Sequence, residues 1–145
     1  MSSQRPLLLL VEDEPTIVTA LARLLDRWGF DTVPARTAAE AATVLAGTTV
    51  DLVVIDYRLP DERGDQLHAR LAQDHPQLAR RTLFITGDFA EPALVAIEAT
   101  GCPYLLKPFE LGIFVHELRA LLDTSAPPET DARADAARRS DASAA

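Results

Sequence analysis

Five short strand-like segments, each followed by helix-forming sequence, constrain this chain more than any other feature. Leu7–Val11 (LLLLV) is a continuous apolar run of strand length, the mark of a strand covered on both faces. Asp51–Ile55 (DLVVI), ending at Asp56, repeats the pattern, and Thr82–Ile85 and Pro103–Leu106 read as two more strands. Phe30–Pro34 is the remaining, weaker one. Between them lie helical patterns. Pro15 opens the first, whose apolar residues Ile17, Leu21, Leu24, Leu25 and Trp28 form one stripe before Gly29 stops it. Thr37 and Glu40 stand at capping-box spacing ahead of Ala41–Leu45. Helices are predicted over Asp65–Gln73, with Leu67 and Leu71, and over the Ala-rich Pro92–Thr100. The last spans Leu111–Leu122, with Leu111, Phe114 or Val115, Leu118 and Leu121–Leu122 as its stripe. Five β-α units in succession imply an α/β fold: a doubly wound, five-stranded parallel sheet of flavodoxin-like (βα)5 type, strand order 2-1-3-4-5. A closed barrel needs eight such units.

The apolar pattern ends at Leu122. Residues 124–145 contain only Ala, Ser, Thr, Pro, Asp, Glu and Arg, so residues 1–123 are read as one domain and 124–145 as a disordered polar tail. The formal net charge is −8, which argues against direct nucleic-acid binding. A single cysteine, Cys102, forms no internal disulfide and no multi-cysteine metal site. No apolar run exceeds five residues, whereas a signal-peptide core needs roughly 7–15 and a membrane span about 20. The expectation is a cytoplasmic protein without membrane insertion.

Ligands of open parallel sheets bind beyond the carboxyl ends of the strands, where strand order reverses. Glu12 and Asp13 follow the first strand, Asp56 the third, Thr86 the fourth and Lys107 the fifth. Three carboxylates close together repel one another and call for a hard cation, and oxygen-only ligands without His or Cys point to Mg2+. The cation would also neutralise phosphoryl oxygens and let a carboxylate attack phosphorus, with Thr86 as hydroxyl donor and Lys107 as point charge. The chain has 13 Arg and a single Lys, and that Lys stands at this edge, where a compact ammonium matters more than positive charge alone.

These residues resemble the response-regulator receiver family of two-component signalling. The resemblance rests on LLLLVEDEP, VDLVVIDYRLPDERG, TLFITGD and YLLKPFE, with Asp13 to Asp56 separated by 43 residues, Asp56 to Thr86 by 30 and Thr86 to Lys107 by 21. It implies that Asp56 is the phosphoacceptor and that Glu12, Asp13, Asp56 and the backbone carbonyl of Arg58 serve Mg2+, Glu12 mainly through water. It further implies that Thr86 and Lys107 hold phosphoryl oxygens, that Lys107-Pro108 is cis, that Gly87 leaves room for the phosphoryl group, and that Tyr104 is the switch aromatic. The donor would be the phosphohistidine of a histidine kinase or phosphotransfer protein. The output would be a face made by the fourth helix, fifth strand and fifth helix, reshaped to bind a downstream protein, with room for a homodimer on phosphorylation. The expectation is a single-domain regulator similar to the chemotaxis-Y type, a signalling switch that catalyses only its own phosphorylation and dephosphorylation. Glu12 departs from the more usual Asp.

Arg58 and Asp88, two residues past Asp56 and Thr86, are expected to border the pocket and to pair across its mouth, hindering the hydrolytic water. His68, His75 and His116 lack metal-ligand spacing and are read as surface positions, Cys102 as a small buried residue, and Trp28 and Phe30 as packing the first helix onto the sheet. An FMN protein would need a Ser/Thr/Gly-rich loop where Glu-Asp-Glu-Pro stands. A dehalogenase-like phosphohydrolase would need Asp-x-Asp after the first strand. A receiver-like scaffold working without phosphorylation is the remaining alternative.

Overall fold

A computed structural model describes residues 5–123; the proposed tail, 124–145, lies outside the described residues. The strands are β1 (Leu7–Val11), β2 (Asp31–Ala35), β3 (Leu52–Asp56), β4 (Thr82–Thr86) and β5 (Tyr104–Leu106). The helices are α1 (Pro15–Arg27), α2 (Ala38–Gly47), α3 (Gly64–Asp74), α4 (Pro76–Ala79), α5 (Glu91–Ala99) and α6 (Leu111–Leu122). All strand pairs are parallel, in the order β2-β1-β3-β4-β5. The predicted doubly wound sheet is therefore the observed one. The single-turn α4 was not predicted: Pro76 starts it and Leu78 and Ala79 are buried, but four residues are too few to show a helical period.

Alternation along the strands splits the core in two. Leu8, Leu10, Leu52, Val54, Leu83, Ile85 and Leu105 pack against Leu21 and Leu25 of α1 and Phe114, Val115, Leu118 and Leu121 of α6. Leu9, Val11, Val53, Ile55, Phe84 and Tyr104 face α2, α3, α4 and α5. Because β3 and β4 are covered on both sides, all their residues are buried, whereas edge strand β2 exposes Asp31 and Pro34, half-buries Thr32 and Val33, and buries only Ala35.

Helix ends follow local chemistry. Gly29, at φ +93°, lets α1 close in a Schellman turn, with Phe30 N donating to Leu25 O at 2.9 Å and Gly29 N to Asp26 O at 3.2 Å. At α2, Thr37 Oγ1 accepts from Glu40 N at 3.0 Å as predicted, but Glu40 Oε1 reaches back to Arg36 N rather than to Thr37.

Three core assignments are corrected. Trp28 is not a packing residue: it caps α1 and is 46% exposed, its ring 5.5 Å from the Arg119 guanidinium, while Phe30 is buried as predicted. Leu111 begins α6 but is 50% exposed, because the buried face of that helix starts at Phe114. His68 is buried, with Nε2 2.9 Å from Ala79 O and 3.2 Å from Cys102 Sγ and its ring against Phe84, whereas His75 and His116 are exposed. Its position in α3 gave no hint of this, since its partners come from α4 and the turn before β5.

Candidate functional site

Strand register assembles the site. Val11 pairs with Ile55, so the next residues, Glu12 and Asp56, emerge side by side at the β1/β3 junction where strand order reverses. Asp56 pairs with Ile85 and Thr86 with Leu106, which brings Thr86 and Lys107 to the same edge. Glu12 (1% exposed) and Asp56 (6%) are buried, Asp13 is half-buried, and oxygens from all three lie within 4.8 Å of one another. Among the described residues this is the one group of three such side chains close enough to hold a metal ion.

Lys107 Nζ donates to Glu12 Oε1 and to Asp56 Oδ2, both at 3.0 Å. Glu12 Oε2 accepts from Glu14 N at 3.1 Å, and Asp56 Oδ1 from Arg58 N at 3.2 Å. Even so, burial, and then the charge of Asp56, push the Glu12 carboxyl up to about 7. Burial works against the Lys107 ammonium, but its bonds to Glu12 and Asp56 more than offset this and raise its pKa. A surplus of buried negative charge on oxygen donors alone is what a hard divalent cation relieves, so the donor set fits Mg2+.

Asp56, Arg58, Gly87, Asp88 and Lys107 line one open cleft above this pocket. Thr86 is fully buried, and its Oγ1 accepts from Asp88 N at 2.9 Å. Asp88 joins two loops: Oδ1 accepts from Ala90 N at 2.9 Å and Oδ2 from Arg58 Nε at 2.6 Å, the ion pair completed by Arg58 Nη2. The Ala90 bond, then the guanidinium, hold the Asp88 carboxyl below its usual range. A Cβ on Gly87 would lie 4.0 Å from Lys107 Cδ, ordinary contact, so only a side chain longer than a methyl would fill the cleft. Tyr104 pairs with Phe84 and points to the same sheet face as Thr86, and its hydroxyl donates to Glu98 Oε2 on α5 at 3.1 Å. The Lys107-Pro108 peptide is cis.

Sequence reasoning missed Gly64. A Cβ there would stand 2.8 Å from Asp56 O, 2.9 Å from Ile55 Cγ2 and 3.0 Å from Tyr57 Cα, so the start of α3 presses on the backbone of Asp56 itself. Glycine at a first helical position, where it is a poor helix former, was the available signal.

Residues 8–119 match the response regulator receiver domain family. The chain belongs to the response-regulator receiver family. It is 37% identical over 125 residues to the response regulator protein PilR of Pseudomonas aeruginosa, covering 86% of this chain and 26% of PilR. With the photosynthetic apparatus regulatory protein RegA of Rhodobacter capsulatus it shares 31% over 133 residues, covering 90% of this chain and 71% of RegA. The chain thus spans about a quarter of PilR's length. Among solved structures it is similar to the signal receiver domain of an HD domain-containing protein from Pseudomonas fluorescens Pf-5 (TM-score 0.77, 30% identity, covering 85% of this chain and 90% of that one). It is also similar to the non-phosphorylated HemR receiver domain of Leptospira biflexa (TM-score 0.74, 28% identity, covering 86% and 99%). As a receiver domain the chain is a signalling switch of two-component systems. Among its described residues no helix is long and apolar enough to cross a membrane.

Proposed function

We propose that Asp56 accepts a phosphoryl group from the phosphohistidine of a histidine kinase or phosphotransfer protein, and that the resulting aspartyl phosphate switches a protein-binding face. One observation carries this reading: a buried carboxylate, flanked by two others and touched by the chain's single lysine, at the strand-order reversal of a parallel sheet. Glu12, Asp13, Asp56 and the Arg58 carbonyl would hold Mg2+, which supplies positive charge to phosphoryl oxygens during transfer.

An Asp56 oxygen attacks phosphorus as the P–N bond of the donor breaks, and the bonding pair returns to the imidazole nitrogen, which takes up a proton. Lys107, already on Asp56, follows the charge as it spreads onto the phosphoryl oxygens. Thr86 can donate its hydroxyl hydrogen to one of those oxygens while Oγ1 still accepts from Asp88 N. Moving Thr86 inward frees space on the sheet face it shares with Tyr104, whose bond to Glu98 ties that ring to α5. The surface of α5, β5 and α6 is therefore the face that changes, binding a downstream protein or a second phosphorylated copy. The Arg58–Asp88 pair across the cleft mouth hinders the water that would hydrolyse the aspartyl phosphate. A Mg2+-dependent reaction in the cytoplasm fits this chemistry.

The test is phosphoryl transfer from acetyl phosphate and from a panel of phosphorylated kinases to the parent chain and to Asp56→Asn. The parent takes up label only with Mg2+ and the variant takes up none; equal labelling of the two overturns the proposal.

A further inference from the structure

We infer that Asp61 is a positioning residue for the phosphoacceptor site, because it ties the β3–α3 loop carrying Arg58 to the amino end of α2. The inference rests on the function proposed above. The first N–H groups of a helix have no partner within it. At α2, Thr37 takes the Glu40 N–H, but those of Ala38 and Ala39 go to Asp61, more than 20 residues further along the chain, whose Oδ1 and Oδ2 accept them at 3.0 Å each. Two parallel bonds from a carboxylate to a positive helix end fix direction as well as distance. These backbone bonds, Ala38's first, hold the Asp61 carboxyl below its usual range.

Thr37 caps α2 locally through the Glu40 N–H, and Asp61 takes the two donors that Thr37 leaves. What the second cap adds is a connection. From Asp56 to Gly64 the chain forms a small closed turn: Arg58 N reaches Asp56 Oδ1, Leu59 N reaches Glu62 O at 3.3 Å, and Arg58 and Arg63 form a bridge. Glu62 is held to Arg70 of α3 by bonds of 2.9 and 2.6 Å, and Arg58 to Asp88. Those two ties pull towards α3 and the β4–α5 loop. Asp61 supplies the tie on the opposite, Glu12 side, because α2 follows β2, whose last residue, Ala35, accepts the Glu12 N–H at 3.0 Å. Asp61 therefore closes a ring running from Glu12 through Ala35 and α2 to the loop and back to Asp56. A main-chain carbonyl that binds metal cannot be reoriented by its own side chain, so the loop's tethers set its aim.

The experiment measures Mg2+ affinity by calorimetry, Tm, and the acetyl phosphate labelling rate against Mg2+ concentration, all on the full chain. Asp61→Ala weakens Mg2+ binding by about tenfold, the lower end of the loss seen when a group orienting a metal ligand is removed. Its labelling rate falls at low Mg2+ and recovers at saturating Mg2+. Asp61→Asn, which keeps one accepting oxygen, lies between, and carries the test should the alanine variant not fold. Thr37→Ala removes the local cap of the same helix and lowers Tm, yet leaves Mg2+ affinity unchanged. Parental Mg2+ affinity in both Asp61 variants overturns the inference, as does a loss of affinity in Thr37→Ala equal to that in Asp61→Ala. Absence of Mg2+ binding by the parent chain instead overturns the phosphoacceptor reading on which it rests.

Discussion

Replacing Gly64 by alanine sets a methyl group against atoms that cannot step aside. Two of the three nearest are backbone, Asp56 O at 2.8 Å and Tyr57 Cα at 3.0 Å, and the third, Ile55 Cγ2 at 2.9 Å, belongs to a side chain that is fully buried. The start of α3 must therefore retreat from β3, lengthening the 2.6 Å bond from Gly64 N to Tyr57 O. Overpacking of this kind costs about 1–3 kcal/mol. Alanine's better helix propensity returns under about 1 kcal/mol, leaving a net loss of roughly 1–2 kcal/mol. For a domain of this size that is a fall of roughly 3–10 °C in Tm. The displacement also reaches the site, since the atom most crowded is the carbonyl oxygen of the proposed phosphoacceptor. Urea and thermal unfolding of Gly64→Ala, with its acetyl phosphate labelling rate, check both effects. A variant matching the parent in stability and labelling refutes the close-approach argument.

Three further outcomes are expected. Arg58→Ala opens the cleft mouth and speeds phosphate release several-fold, read as loss of label after donor removal, and parental kinetics would dismiss the Arg58–Asp88 pair as a barrier to water. Burial pushes the Cys102 thiol up to about 11, so at pH 8 roughly a thousandth is thiolate, and iodoacetamide modifies it slowly in the folded chain and quickly in denaturant. Tyr104→Phe removes the hydroxyl bond to Glu98 and lowers unfolding stability by about 1–2 kcal/mol, measured by urea titration.

The sheet and the edge residues were legible because both depend on short-range pattern. An apolar run of strand length ending at Glu12, Asp56 or Thr86 states where a strand stops, and parallel alternation with helices places all those ends together. The position of Lys107 followed from the same logic. What escaped depends on partners distant in sequence. Sequence places His68 on the surface because a polar side chain on a helix carries no mark of the Ala79 carbonyl or the Cys102 thiol that receive it. Trp28 fell on the apolar stripe of α1, yet the stripe outruns the buried face by one turn, and a large ring at a helix end lies over Arg119 instead. Asp61, in the β3–α3 loop, and Gly64, at the first position of α3, belong to a segment whose composition announces only a turn; their importance lies in Ala38, Ala39 and the Asp56 carbonyl, which only the tertiary fold brings near.

The most direct test is to trap the modified side chain. Borohydride reduction of an aspartyl phosphate yields homoserine, which peptide mass mapping assigns to a residue. After incubation with acetyl phosphate and Mg2+, homoserine is predicted at position 56 alone, and none is predicted when a chelator replaces Mg2+. Homoserine at position 13 instead, or equal conversion of Asp56 with the cation withdrawn, would contradict the account.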